Sequence, residues 1–429
     1  MTPAILLVIG LGWFAFALLS SRASRSGLTA PMAFTGLGLA LGSGLFGAVD
    51  VPIEGAFIHD LAEVALAIAL FTDASRIDLR RLGREHSLPI RLLAIGLPLT
   101  MLAGAGLGWL LFPALGLWGA VVLGIILAPT DAALGQAVVS DANVPQRIRQ
   151  GLNVESGLND GLAFPALLIA ATLAAEVANR GAVEWAGFVG TQLLVSPVIG
   201  AAVAFAGSWA IARALDHGWM DETFLRVSTL AFPLIAYTGA EAFEGNGFIA
   251  AFSCGLVIGT RPRKLLDAIE DFAEAEGQLV TLAVFLAFGA VLLPGFHEGL
   301  DWRHVLYAIL SLTALRMVPV ALALLGSGLR APTVAFLGWF GPRGLASIIY
   351  LLLIVDEYPF NGMADVERTV LVTVLMSIVL HGATAAPFAR IYGRWSKREN
   401  ASKEAQSVEP FPLPPGSRVA RRSGASGQD

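Results

Sequence analysis

Residues 151–170 read GLNVESGLNDGLAFPALLIA, an apolar run fit for the middle of a lipid bilayer that nevertheless contains Glu155, Asn159 and Asp160. A charged side chain at the centre of a membrane helix costs about 2.5–3.5 kcal/mol on insertion scales, so each acid needs a partner or a purpose. Residues four apart share a face of an α-helix, which places Glu155 with Asn159 and Ser156 with Asp160 on two adjoining faces. The stretch therefore predicts a buried helix whose two acids have different surroundings.

The rest of the chain is similarly apolar. Of its 429 residues, 55% are hydrophobic and only 14% are charged, and the mean hydropathy is +0.70. Runs of about 20 apolar residues, the length at which an α-helix crosses roughly 30 Å of hydrocarbon, follow one another almost from end to end. The composition predicts an all-α polytopic membrane protein, and its one cysteine, Cys254, permits no intrachain disulfide.

Apolar runs between polar or Gly/Pro-rich breaks predict thirteen transmembrane helices. They lie near residues 3–20, 28–48, 56–75, 89–112, 115–138, 150–176, 185–213, 222–240, 246–260, 274–294, 303–326, 332–354 and 367–391. We expect a membrane domain over residues 1–395. Residues 396–429 are polar and lack apolar periodicity, so we expect them to form a disordered cytoplasmic tail.

The placement of basic residues orients these helices. No Lys or Arg precedes the first run, whereas Arg22 and Arg25 follow it, which favours a retained helix with its N-terminus outside. Further along, Arg and Lys cluster in alternate loops, and the opposite loops hold only Arg180, Arg303 and Arg368. Because cytoplasmic loops carry the excess of basic residues, the N-terminus is expected outside and the C-terminus in the cytoplasm.

The fifth and twelfth runs each contain a helix breaker beside a charged residue. LAPTDAALG holds Pro129 and Asp131, and GWFGPRGLAS holds Pro342 and Arg343. Proline interrupts helical hydrogen bonding, and the freed backbone groups are tolerable at membrane depth only where they line a cavity or a site. The two runs are seven spans apart and cross in opposite directions, which predicts two inverted repeats of six helices, as in secondary transporters.

Arg343 can neutralise one of the acids, and we expect that acid to be Glu155. Their pairing, with Asn159 on the same face, would fix the shape of the site. Arg316 lies in another apolar run, where it either pairs with an acid of the core or extends toward the interface. His381 is expected to be a hydrogen-bonded packing residue.

Asp160 and Asp131 would then face a cavity together with oxygens of Ser156 and Thr130. Carboxylate, hydroxyl and freed carbonyl oxygens suit a hard monovalent cation such as sodium. Two nearby carboxylates also repel each other, which favours a proton on one of them and lets proton and cation compete for the same oxygens. Because binding of one releases the other, such competition would exchange a cation for a proton.

The segments APTDAA, NVESGLNDG and GPRGLAS, in this order, resemble the monovalent cation/proton antiporters of the sodium/hydrogen exchanger type, particularly the bacterial NhaP-like branch. The resemblance covers essentially all of the hydrophobic region. It implies a homodimer with thirteen helices in the bacterial inner membrane, in which a core domain moves against a dimerisation domain to give alternating access.

The resemblance also implies roles for individual residues. The residues that would hold the cation are Asp160, Asp131, Ser156, the backbone at Thr130, and Asp73 at the cytoplasmic end of the third helix. Those that would stabilise the site are Glu155, Asn159 and Arg343. Asp73 could instead simply cap its helix. Asn159 before Asp160 resembles the Asn-Asp pair of electroneutral exchangers, which implies one cation for one proton. Gly157, where the family usually has a bulkier residue, removes no oxygen ligand.

Other functions fit the sequence less well. It lacks H-E-x-x-H, a G-x-S-x-G nucleophile elbow and a Walker A motif, which argues against an enzyme and against ATP-driven transport. A cation channel could use the same acids, but inverted halves suit alternating access better. A K⁺/H⁺ antiporter of the same fold stays an alternative. We expect no cofactor and no nucleic acid, and expect membrane lipids, a proton and Na⁺, Li⁺ or K⁺ as the partners.

Overall fold

The computed structural model describes residues 3–42, 56–77, 87–131, 133–175, 187, 190–261, 266, 277–399 and 404. Every regular element in these ranges is helical. In chain order the helices used below are α1 Pro3–Ser26, α2 Ala30–Leu41, α3 Ala56–Ser75, α4 Ser87–Leu111, α5 Gly116–Ile126, α6 Gln136–Val139, α7 Gln146–Ala174, α8 Thr191–Asp216, α9 Glu222–Ser228, α10 Ala231–Glu241, α11 Gly247–Ile258, α12 Gly277–Leu292, α13 Trp302–Leu312, α14 Ala314–Ala323, α15 Ala331–Trp339, α16 Leu345–Glu357 and α17 Met363–Arg398.

A helix, or a pair of helices separated by a break, overlaps each of the thirteen predicted runs. Among the described residues, five helical stretches are long and apolar enough to cross a membrane. They are Ser87–Leu111, Gln146–Ala174, Thr191–Asp216, Trp302–Ala323 and Met363–Arg398. The all-helical class is confirmed, whereas the count of crossings, the inverted repeats and the orientation stay predictions.

Both predicted helix breaks are present. Helix α5 ends at Ile126, and the described residues before α6 form turns. Helix α15 ends at Trp339, and residues 340–344 run without helical structure until α16 begins at Leu345. The interruptions follow from Pro129 and Pro342, which cannot donate the backbone hydrogen bond that a continuous helix requires.

Helix α11 holds together two helices that carry acids of the candidate site. A Cβ atom at Gly255 would lie 2.3 Å from the carbonyl oxygen of Phe71 in α3, close to Asp73. A Cβ atom at Gly161 of α7 would lie 2.0 Å from the ring of Phe252 in α11. Membrane helices approach closely where small residues meet, because packing supplies much of their association. These two glycines therefore bring α3 and α7 against the same neighbour.

The C-terminal segment remains attached to the helices where it is described. Helix α17 continues to Arg398, a few residues beyond the predicted domain boundary at residue 395. Beyond it, Glu404 is buried and accepts hydrogen bonds of 3.0 Å from the backbone N–H of Arg330 and the hydroxyl of Thr333 at the start of α15. The predicted disorder of the remaining tail, like the loop position of Arg180, lies outside the described residues.

Candidate functional site

The two helix breaks are in contact, and each donates hydrogen bonds to backbone carbonyls of the other. The backbone N–H of Asp131 donates to the carbonyl oxygen of Pro342 at 2.8 Å. In return, Nη1 of the fully buried Arg343 donates to the carbonyl oxygens of Ala128 at 2.7 Å and Pro129 at 3.1 Å. These are carbonyls that the first break frees from helical hydrogen bonding, and a guanidinium supplies the donors they lack. Arg343 therefore fastens one break to the other.

Glu155 pairs with Arg316 and not with Arg343. Nη1 and Nη2 of Arg316 donate to the two carboxylate oxygens of Glu155 at 2.5 and 2.8 Å, and the two side chains are 1% and 2% exposed. The prediction that Glu155 pairs with Arg343 is therefore wrong, because the Nη1 of Arg343 is engaged by backbone carbonyls. Of the two alternatives open for Arg316, pairing with an acid of the core is confirmed.

Asn159 joins α7 to the first break. Its Nδ2 donates to the hydroxyl of Thr130 at 2.7 Å and to the carbonyl oxygen of the same residue at 3.4 Å. The Thr130 hydroxyl also lies 3.0 Å from the hydroxyl of Ser156. Asn159 thus binds Thr130, and no hydrogen bond among the described residues supports the prediction that it faces Arg343.

Asp131 caps the helix that leaves the opposite break. Its Oδ1 accepts from the backbone N–H of Ala133 and its Oδ2 from that of Leu345, the first residue of α16, both at 2.7 Å. A carboxylate at a helix N-terminus is stabilised by the helix dipole. The approach requires glycine at position 344, since a Cβ atom there would lie 2.0 Å from Asp131 Oδ2. Both oxygens of Asp131 therefore have protein donors.

His381 and Ser377 of α17 brace the second break. The Ser377 hydroxyl oxygen accepts from the backbone N–H of Arg343 at 2.7 Å, and His381 Nδ1 lies 3.1 Å from the same hydroxyl. His381 Nε2 lies 3.0 Å from the carbonyl oxygen of Trp339, which can only accept, so Nε2 carries the proton and Nδ1 accepts from Ser377. The prediction that His381 is a hydrogen-bonded packing residue is confirmed.

A cavity of about 120 Å³ collects three acids from three different elements. Asp73 from α3, Asp131 from the first break and Asp160 from α7 all line it. The Oδ1 atom of Asp160 is buried and has no hydrogen-bond partner among the described residues, although the backbone carbonyl of Asp160 accepts from the hydroxyl of Tyr350. Among the three acids, Asp160 is the one with a buried carboxylate oxygen that no described residue satisfies.

The other predicted residues are placed as follows. Ser156 lines the cavity, whereas Thr130 lies behind it and is not part of the wall. Gly157 leaves room beside Asp73, since a Cβ atom there would lie 3.5 Å from the carbonyl oxygen of Asp73. Asp73 lines the same cavity as the other two acids, two residues before the end of α3.

Sequence reasoning missed several polar residues of the wall. Arg76, Gln278 and Thr281 line the cavity with the acids. Gln278 and Thr281 are three residues apart, so they share a face of α12, and polar residues at that spacing in an apolar run are a usable signal. Arg76 is three residues after Asp73, a spacing that also places both side chains on one side of the chain.

A second cavity, of about 630 Å³, adjoins the first. The two share Ala133, Gln136 and Gln278 as wall residues. The far wall of the larger cavity includes Asp141 and Arg390, which belong to segments predicted to face the cytoplasm. The larger cavity therefore extends from the wall of the acid-lined cavity to segments that are predicted to be cytoplasmic.

Two broken helices that cross at a cluster of buried charges define a class of protein, the secondary transporters with discontinuous helices. Residues 12–391 match the family model described as "Sodium/hydrogen exchanger, transmembrane". The chain therefore belongs to the sodium/hydrogen exchanger family, whose members are integral membrane transporters rather than enzymes.

Curated relatives support this membership. The K(+)/H(+) antiporter NhaP of Alkalimonas amylolytica is 26% identical over 421 residues, which cover 95% of this chain and 69% of the relative. The K(+)/H(+) antiporter NhaP2 of Shewanella oneidensis is 24% identical over 378 residues, covering 87% and 64%. The Na(+)/H(+) antiporter ApNhaP of Aphanothece halophytica is 26% identical over 399 residues, covering 89% and 72%. The chain thus spans roughly two thirds of the length of these relatives.

A solved structure shares the fold. The sodium proton antiporter MjNhaP1 from Methanocaldococcus jannaschii superposes with a TM-score of 0.73 over 91% of this chain and 99% of that chain, at 20% sequence identity. At this identity the comparison establishes the fold.

Proposed function

We propose that the chain is a secondary active antiporter that exchanges a monovalent cation for a proton by alternating access, with Asp160 as the acid for which the two compete and Asp131 as a charged neighbour in the same cavity. The observation that carries this proposal is the Oδ1 atom of Asp160, buried at the cavity without a protein donor among the described residues. A buried carboxylate oxygen without a partner is costly. Either a proton or a cation removes that cost, and the two cannot occupy the same oxygen together.

The hydrogen bonds indicate different roles for the two acids, Asp131 and Asp160. Both oxygens of Asp131 accept backbone N–H groups, so this residue holds the break in shape and contributes negative charge. Asp160 is the acid that changes partners in the cycle, with the Ser156 hydroxyl beside it and Asp73 adding charge from α3. Thr130 supports Ser156 from behind the wall through the contact between their hydroxyls.

The proposed stoichiometry is one cation for one proton. The residue before Asp160 is Asn159, an uncharged side chain that is occupied by Thr130. One exchangeable carboxylate at this point of α7 releases one proton for each monovalent cation bound, which makes the exchange electroneutral. The cavity toward Asp141 and Arg390 supplies the inward route. We further propose a homodimer in the bacterial inner membrane, in line with the family resemblance.

The cation is Na⁺, Li⁺ or K⁺. Relatives named K(+)/H(+) antiporters and a relative named a Na(+)/H(+) antiporter are similarly distant from this chain. A K⁺/H⁺ antiporter of the same fold is therefore the second candidate function, and a direct comparison of the three cations decides between them.

Inverted membrane vesicles with an acid interior and a fluorescent pH probe test the proposal. Addition of at least one of the three cations is expected to alkalinise the interior, and Asp160→Asn is expected to abolish that signal. Asp216→Asn is the matched control, because Asp216 is exposed at the end of α8 and should leave the signal unchanged. An intact signal in Asp160→Asn, or none in the wild type with any cation, would contradict the mechanism. Current under voltage clamp would indicate a channel, since electroneutral exchange passes none.

A further inference from the structure

Arg76 lies in the wall of the acid-lined cavity, although its position in the sequence suggested a cytoplasmic loop. It directly follows Ser75, the last residue of α3, and its Nη1 lies 3.9 Å from Oδ1 of Asp73. Its side chain is 13% exposed. Among the described residues that line this cavity, Arg76 is the only basic one.

The contact between Arg76 and Asp73 differs from the buried pair behind the site. Arg316 and Glu155 are joined by two hydrogen bonds of 2.5 and 2.8 Å. A separation of 3.9 Å is beyond hydrogen-bonding distance, so the attraction between Arg76 and Asp73 is Coulombic. The Asp73 side chain is also 35% exposed, which leaves it accessible from the cavity. The two groups can therefore separate without breaking a direct hydrogen bond.

The charge of Arg76 is permanent. A guanidinium cannot be deprotonated in a protein, whereas the carboxylates around it exchange protons and cations. Because the cavity is small, a positive charge in its wall acts at short range on any cation that enters. The same charge offsets part of the attraction that three acids would otherwise exert.

We propose that Arg76 acts as a fixed counter-charge, which competes with the transported cation for electrostatic attraction to Asp73 and so sets the apparent affinity of the site. The inference rests on the proposed function. In the empty site the positive charge of Arg76 offsets the negative charge of Asp73. An entering cation must therefore weaken the attraction between these two side chains before it can bind. Cation binding is consequently weaker, and release is faster, than three unopposed acids would allow.

The test measures cation-dependent alkalinisation as a function of cation concentration in the vesicle assay. Arg76→Gln is expected to lower the apparent KM for the cation by roughly five- to tenfold and to lower kcat, because a nearby positive charge no longer opposes binding and release slows. Arg76→Lys keeps the charge and should stay near the wild-type KM. Arg330→Gln removes an exposed cytoplasmic arginine outside the cavity and should change neither value.

An apparent KM in Arg76→Gln that is unchanged or higher than that of the wild type overturns the inference. This outcome differs from failure of the proposed function, in which the wild type itself shows no cation-dependent signal. If Arg76→Gln does not accumulate in the membrane, Arg76→Met is measured in its place. Cation-dependent thermal stabilisation of the purified protein gives a second measure of affinity. The neutral variants should then reach half-maximal stabilisation at a lower cation concentration than the wild type.

Discussion

Replacement of Glu155 by glutamine leaves the guanidinium of Arg316 buried without a counter-charge. The two side chains are 1% and 2% exposed, so water does not replace the lost carboxylate. The Nε atom of Arg316 already lacks a partner among the described residues, and a Cβ atom at Gly341 would lie 2.4 Å from it, so the guanidinium has little room to turn elsewhere. Removal of one partner from a buried ion pair costs about 3–5 kcal/mol.

The assay is the apparent Tm of the purified protein in detergent. At about 2 °C per kcal/mol, the loss corresponds to a Tm lower by roughly 6–10 °C. Glu399→Gln is the matched control, because its 3.2 Å ion pair with Arg330 is about half exposed on both sides. Exposed pairs contribute about 0–1 kcal/mol, so this variant should melt within roughly 2 °C of the wild type.

A double-mutant cycle identifies the partner. The variant Glu155→Gln/Arg316→Met carries no unpaired charge and should recover most of the Tm lost by the single variants. The corresponding cycle with Arg343→Met should show no comparable coupling, because Arg343 binds the carbonyls of the first break. If Glu155→Gln melts like Glu399→Gln, or if the coupling belongs to Arg343, the assignment of the buried pair is refuted.

Two further predictions concern the breaks. In the vesicle assay Gly344→Ala should reduce kcat about 100-fold, because its Cβ atom would displace Asp131 by an ångström or more. Gly106→Ala is the control and should leave kcat unchanged, because a Cβ atom there meets nothing within 4 Å. His381→Ala should lower stability by about 1–3 kcal/mol because it leaves buried groups of the second break unpaired, whereas His297→Ala at an exposed position should not shift the Tm. An active Gly344→Ala or a fully stable His381→Ala would contradict the geometry described for the breaks.

The breaks themselves could be predicted because proline has a local effect. Pro129 and Pro342 interrupt their helices wherever the helices lie, so the sequence alone locates both interruptions. The grouping of Asp131 and Asp160 followed from their positions beside a break and on a buried helix, and the shared cavity agrees with it. The position of a residue was predictable where it depends on the structure of its own helix or break.

The partner of Glu155 could not be predicted, because it depends on the relative rotation and depth of distant helices. Arg316 is 161 residues away along the chain, and Arg343 was an equally plausible partner by charge alone. The cap that Asp131 forms on α16 could not be predicted from the sequence for the same reason, because its acceptor and donor are 214 residues apart. Arg76 was missed because it lies at a helix end, where boundaries read from sequence are uncertain by several residues.

The contact between Arg343 and the first break also affects how the chain is made. Arg343 follows Ala128 by 215 residues, so a ribosome that synthesises about 5–20 residues per second reaches it some 10–40 s after the carbonyl of Ala128. Over that interval the first broken helix lacks the donor that satisfies its freed carbonyls. Water or another transient donor must satisfy these carbonyls until Arg343 has been synthesised. The contact between the two breaks is consequently completed only after all the helices from α5 to α15 have been synthesised.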